Sequence, residues 1–367
     1  RALVEQELRA AVAAPTEAMT EMAGHLIGAG GKRVRPLFAV AAGRCVPGHE
    51  GPAPLDVVRG GVSVELVHLG SLYHDDVIDE ATTRRGVESV NARWGNLKAI
   101  LAGDFLLAKA SEIAASLGVE VAGLLAATIG RLCEGEVREL QDAYQVARTE
   151  EAYLASIEGK TASLLSSACR IGAIVADLPR PEIDALTEFG LAYGMAFQIV
   201  DDILDVVATD EQLGKPAGHD LVEGAYNLPV LRALAGPTGP ELAALLGAPI
   251  EGEVWERART LVRQSTGVAE SVDVAQGYVD RAVAVLDPLA DRPAAAALQG
   301  AARHLLTNLS TVPASGGEPS GEPTRQAWRV TRGASRGPTT GTRRRATCPT
   351  RVLSGDPPAA RAVRARG

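Results

Sequence analysis

Two stretches of this chain, VVRGGVSVELVHLGSLYH at 57–74 and FGLAYGMAFQIV at 189–200, are apolar nearly all round at helical spacing. Each runs directly into the pattern D-D-x-x-D, first at 75–79 and again at 201–205. A helix that is apolar on every side has no face to show to water, so both must pass through the middle of a bundle. The flanking segments LVEQELRAAVAA, EVAGLLAATIGRLCEGEVRELQDAY and YVDRAVAVLDPLA keep the same helical period, while strictly alternating patterns are scarce. Breaks such as VPGHEGPAPLD and LAGPTGPE read as connections between helices. An all-α fold follows, with one large helical domain over residues 1–310.

From Thr311 the texture changes to Pro, Gly, Thr and Arg, with RRR at 343–345 and no Lys, Ile, Phe or Tyr. Such a segment buries too little surface to offset its ordering entropy, and residues 311–367 are expected to be a disordered basic tail. Its composition is also what an out-of-frame extension of a GC-rich gene would encode. The tail carries eleven Arg against Glu318, Glu322 and Asp356, so it contributes +8 and residues 1–310 carry −16 of the net −8. An acidic body argues against a nucleic-acid platform.

Cys45, Cys133, Cys169 and Cys348 show no CxxC pairing and are expected to be reduced packing residues. The uncharged run Phe189 to Val200 is a dozen residues long, against the roughly 20 that a membrane-spanning helix needs. No signal-peptide pattern opens the chain, which begins on Arg1 rather than Met, and a cytoplasmic location is expected.

Asp75 and Asp79, four apart on a helix, would share one face and repel. The same holds for Asp201 and Asp205, with Asp76 and Asp202 beside them. Negative charge at a helix C-terminus also opposes the macrodipole, so a cation must be supplied from outside. An all-oxygen donor set suits Mg²⁺, which is usually shared between one or two carboxylates and substrate phosphates. Calcium would favour a D-x-D-x-D-G loop, and none is present. The cations Lys32, Arg33, Arg35, Arg84, Arg85, Lys160 and Lys215 point to an anionic ligand.

Taken in order, GGKRVRP, ELVHLGSLYHDDVIDEATTRRG, GDFLLA, GKTASL, FQIVDDILD and GKPAGHDLVEG resemble the trans-prenyltransferases, the head-to-tail isoprenyl diphosphate synthases. The resemblance spans about Gly30 to Leu231. It implies a helical bundle of the isoprenoid-synthase type with a central cavity. It also implies a Mg²⁺-dependent condensation of an allylic diphosphate with isopentenyl diphosphate, with three ions per site. By position, Asp75, Asp79 and Asp201 would hold Mg²⁺, supported by Asp76, Asp202 and Asp205. Arg84, Lys160 and Lys215 would contact the allylic diphosphate, and Lys32, Arg35, His68 and Arg85 the isopentenyl diphosphate. Thr161 and Gln198 would aim oxygen dipoles at the carbocation, and released pyrophosphate would take the proton. A homodimer, with transient membrane contact for product release, belongs to the same expectation.

Product length in this family depends on the residues beneath the first aspartates. Gly70 and Ser71 lie five and four residues before Asp75, about 6 to 7.5 Å deeper by helical rise. Both are small, which favours a medium- or long-chain all-trans product with its floor near Val67 or on another helix. Tyr73 lies off that face. The alternatives are a short-chain farnesyl or geranylgeranyl diphosphate synthase, a class I terpene cyclase and a non-catalytic synthase subunit. Gly190 and Gly194 read as helix-packing positions.

Overall fold

The structure is a computed structural model that describes residues 1–48, 51–209 and 218–309. Its helices, in chain order, are α1 (Ala2–Ala11), α2 (Glu17–Gly28), α3 (Val34–Gly43), α4 (Leu55–Ile78), α5 (Val90–Trp94), α6 (Asn96–Ser116), α7 (Val119–Asp142), α8 (Glu150–Ile157) and α9 (Ser163–Val175). They continue with α10 (Arg180–Val207), α11 (His219–Glu223), α12 (Leu228–Ala235), α13 (Gly239–Leu245), α14 (Gly252–Gln264), α15 (Gly267–Val285) and α16 (Pro293–Leu305). Two two-residue strands, β1 (Thr83–Arg84) and β2 (Val87–Glu88), form a single antiparallel hairpin after α4.

The two segments read as central are the two central helices. α4 packs on α3, α6 and α9, and α10 packs on α9 and α15. Both are buried along most of their length, on more than one side. Small residues let these helices approach closely. A Cβ on Gly172 of α9 would overlap the carbonyl oxygen of Ala39 on α3, and one on Gly190 of α10 would lie 2.7 Å from the Leu165 carbonyl oxygen. Gly194 meets Ala162 in the same way, at 2.5 Å, so both glycines of α10 are packing positions as expected.

The aspartate-bearing ends of α4 and α10 are capped by side chains from elsewhere. Asn91 Nδ2 donates to the Asp76 carbonyl at 2.9 Å, and Arg259 Nε donates to the Val206 carbonyl at 2.9 Å. These contacts satisfy carbonyls that a helix terminus leaves open. Between α8 and α9 the chain widens into one π-helical turn, Glu158–Ala162, that carries the GKTA sequence. It presses on α7 so closely that a Cβ on Gly135 would lie 2.7 Å from the Lys160 backbone nitrogen.

Among the described residues no helix is long and apolar enough to cross a membrane. Cys45 and Cys169 are buried, free thiols, and burial pushes Cys45 up to about 11. Cys133 is exposed, because it faces outward on α7 rather than into the core as expected. The tail from 311 and Cys348 within it lie outside the described residues.

Candidate active site

Two pockets of opposite character share α10. The acidic one, about 140 Å³, is lined by Lys160, Thr161, Gln198, Asp201, Asp202 and Asp205, together with Glu139, Tyr153 and others. The cationic one, about 350 Å³, is lined by Lys32, Arg33, Arg35, His68, Arg85 and Phe197, with Glu65 beneath them. Phe197 and Gln198 are consecutive on α10, and one faces each pocket. Every described residue expected in the second diphosphate site therefore lies in one pocket. Lys215 lies outside the described residues.

In the acidic pocket Asp202 is fully held. Tyr153 Oη donates to its Oδ2 at 2.6 Å, and Gln198 Nε2 donates to its Oδ1 at 2.8 Å. Thr161 Oγ1 donates to Gln198 Oε1 at 2.7 Å, completing a chain from the π-turn to α10. Burial raises Asp202 to about 7 despite these donors. Lys160 is gripped by Glu136 at 2.8 Å and Glu139 at 3.0 Å, both on α7. Burial alone would pull its ammonium down, but Glu139 and Glu136 hold it above the usual range.

The first cluster lines neither pocket, but Asp75 and Asp79 both lie within electrostatic reach of Lys160. Burial raises Asp75 to about 7 even though Lys160 opposes the rise, and Glu136 and Asp79 push it further. Asp79, also raised mainly by burial, feels Lys160 and Glu139. Glu139 raises Asp202 as well, so α7 supplies a carboxylate within electrostatic reach of both clusters.

Asp76 differs from its neighbours. Its side chain is fully buried and bonded by Arg84, with Nε at 2.7 Å and Nη2 at 2.6 Å, while its Oδ2 has no hydrogen-bond partner. Arg84 is thus turned onto Asp76, and the pair stands beside the cleft rather than in either pocket.

The hairpin explains how two adjacent arginines diverge. Arg84 pairs with Val87, leaving Arg85 and Gly86 as a two-residue loop with φ of 55° and 75°. Positive φ at both loop positions is the mark of a type I′ turn. Arg84 stays on its strand facing Asp76, and Arg85 swings to the cationic pocket, where Nη1 donates to the carbonyls of Leu26 and Gly30. His68 is held well below its usual range, first by burial and then by Arg35, Arg85 and Arg84. It stays neutral among the arginines.

The residues that sequence reasoning missed are mostly carboxylates and their partners: Glu136, Glu139, Glu65, Asp220, Glu223 and Tyr153. Glu136 and Glu139 stand three apart within EGEVREL, a spacing that shares a helix face. Asp220 and Glu223 sit inside the GKPAGHDLVEG motif, and both line the acidic pocket. Nothing local marks Tyr153, which lies on α8, 49 residues from the aspartate it bonds.

Among the described residues no three His, Cys, Asp or Glu side chains form a ready-made metal cage. The donor set nevertheless fits a hard cation. Asp75 and Asp202 are raised by burial and by neighbouring carboxylates despite the groups that oppose the rise, and Asp76 Oδ2 has no hydrogen-bond partner, so a further cation would be welcome there. A site of one or two carboxylates completed by phosphate oxygens is the usual habit of Mg²⁺.

Compared with known proteins, the chain matches the polyprenyl synthetase family over residues 16–254. It is 41% identical over 299 residues to nonaprenyl diphosphate synthase of Mycobacterium tuberculosis, across 81% of this chain and 87% of that protein. It is 40% identical over 292 residues to heptaprenyl diphosphate synthase component 2 of Geobacillus stearothermophilus, across 78% of this chain and 89% of that protein. Among solved structures, a decaprenyl diphosphate synthase from Rhodobacter capsulatus matches with a TM-score of 0.77 at 34% identity, covering 84% of this chain and 95% of that one. With its two-pocket site carried on a matching helical frame, the chain belongs to the polyprenyl synthetase family and is a prenyl-transferring enzyme of the medium- to long-chain trans type.

Proposed function

We propose that the chain condenses an allylic diphosphate with isopentenyl diphosphate, head to tail, to build an all-trans polyprenyl diphosphate. The observation that supports this most is the pair of pockets meeting at Phe197 and Gln198. One reaction partner ionises in the acidic pocket, and the other is held by cations within reach of it.

Asp75, Asp79 and Asp201 would hold three Mg²⁺ ions, with Asp76, Asp202 and Asp205 in support. Bound there, Mg²⁺ neutralises the charge that develops as the allylic diphosphate departs. Lys160, kept protonated by Glu139 and Glu136, presents a fixed ammonium to the same diphosphate. Arg84 and Lys215 are assigned to it as well. Thr161 and Gln198, locked in the chain ending on Asp202, orient oxygen dipoles toward the allylic carbocation. Lys32, Arg35 and Arg85 bind the isopentenyl diphosphate, whose phosphates suit planar guanidinium groups. Neutral His68 adds a hydrogen bond without adding charge. The isopentenyl double bond attacks the cation, and released pyrophosphate accepts the proton lost from the new chain.

Residues 1–310 form the catalytic body in this reading, and the remainder is dispensable. The exposed Leu97, Ile100 and Leu101 on α6 support a homodimer. The chain is assigned to the cytoplasm, with transient membrane contact as product leaves.

The test is incorporation of labelled isopentenyl diphosphate by the purified chain. It should require both an allylic primer and Mg²⁺, cease on chelation and return when Mg²⁺ is restored. Incorporation that is indifferent to chelation would refute the metal assignment. Release of a hydrocarbon from the primer alone would indicate a cyclase.

A further inference from the structure

The cationic pocket is braced from behind by a helix that carries none of the motifs. Arg33 lies between Lys32 and Arg35 in sequence, yet its side chain is fully buried. Its backbone is left-handed, at φ 54°. A non-glycine residue keeps that conformation only where its surroundings over-determine it. Here the guanidinium does so by joining three segments. Nε and Nη2 donate to Glu5 Oε1 at 2.9 Å and Oε2 at 3.2 Å on α1. Nη1 donates to Glu65 Oε1 on α4 at 3.2 Å, and Nη2 also donates to the Ile27 carbonyl near the end of α2 at 3.0 Å. The loop leading into Arg33 closes so tightly that a Cβ on Gly31 would lie 3.0 Å from both Arg33 Nη1 and Arg85 Nη1.

We infer that Glu5 is a positioning residue for the second diphosphate: through Arg33 it fixes the backbone that presents Lys32 and Arg35, without touching substrate itself. The inference rests on reading the cationic pocket as the isopentenyl diphosphate site. Glu65 cannot take over the role, because it meets Arg33 through one oxygen only, and its other oxygen has no hydrogen-bond partner. Without Glu5, Arg33 keeps only its bonds to Glu65 and the Ile27 carbonyl, so the strained residue is held less firmly and the cations on either side of it shift.

Charge and geometry predict opposite results, which makes the test sharp. Glu5→Gln removes a negative charge near a cationic pocket, so a mere electrostatic bystander would bind the anion more tightly. A positioning role predicts weaker binding. In the full-length chain with Mg²⁺, Glu5→Gln should raise the KM for isopentenyl diphosphate roughly tenfold, an effect of the size that misplaced binding groups produce. The KM for the allylic primer, and kcat at saturation, should stay within about twofold. Glu5→Asp, which keeps the charge but shortens the strut, should shift the same KM in the same direction by less, and it serves if the first variant does not fold. Arg35→Ala provides the reference for the pocket. If it raises the KM for isopentenyl diphosphate while neither Glu5 variant does, the positioning role is wrong and the pocket reading stands. If Arg35→Ala also leaves that KM unchanged, the pocket reading falls and the inference with it.

Discussion

A buried carboxylate beside other carboxylates is comfortable only when a cation answers it. Asp75 and Asp202, each lifted to about 7 mainly by burial, record that tension in the metal-free chain. Asp201→Ala or Asp75→Ala should therefore lower kcat by at least ~10²-fold, the order lost when a transition-state charge stabiliser is removed. Neither change should lower the melting temperature, and near-normal turnover in either variant would remove the metal assignment. Glu5 behaves in the opposite sense. The hydrogen bond from Arg33 holds its carboxyl below the usual range. A depressed folded-state pKa contributes stability that is present above the unfolded value, near ~4.3, and is lost as pH falls through the folded one. In urea unfolding, wild type should thus exceed Glu5→Gln in stability at pH 7, with the gap closing below about pH 4. A gap that persists at pH 3 would show that Glu5 contributes by packing alone. The aspartates were legible in the sequence because a repeated D-D-x-x-D at the end of an apolar helix contradicts ordinary helix electrostatics. Tyr153 and Glu65 were not, since a buried tyrosine or a lone glutamate in an apolar helix acquires meaning only from partners distant in the chain.

The legibility of elements followed their periodicity. Continuous apolar faces identified α4 and α10 as the core of the bundle. The two-residue hairpin and the π-turn left no periodic trace, although TRRG holds the glycine that the turn at Arg85 and Gly86 uses. Product length belongs to this scale. Gly70 does not border open space: a Cβ there would lie 3.1 Å from the Gly103 carbonyl and 3.2 Å from Leu107 on α6. It is a contact between α4 and α6, which the sequence of α4 alone could not show. Ser71 is only partly buried and spends its hydroxyl on the His68 carbonyl at 2.9 Å. Phenylalanine at these two positions should therefore have different effects. Ser71→Phe should shorten the product to about the farnesyl or geranylgeranyl class at similar total turnover. Gly70→Phe should lower the melting temperature by several degrees, as overpacking a core costs about 1–3 kcal/mol. A Ser71→Phe enzyme that makes the wild-type product would place the limiting wall on another helix.

At the scale of the whole molecule, the chain separates charge. In the proposed function the acidic cleft takes metal and the leaving diphosphate, the cationic pocket takes the second diphosphate, and α10 contributes to both. The same proposal gives the basic segment from 311, which lies outside the described residues, no part in this division. A chain ending near Ser310 should keep its activity and its melting temperature, and a loss of many degrees on truncation would overturn the assignment of residues 1–310 as the catalytic body. The central claim is that this division of charge builds a long isoprenoid, and chromatography of the wild-type product tests it most directly. Supplied with Mg²⁺, farnesyl diphosphate and excess isopentenyl diphosphate, the purified chain should give all-trans products longer than the geranylgeranyl class. An enzyme that leaves isopentenyl diphosphate unconsumed, or adds a single unit and stops, would contradict the account.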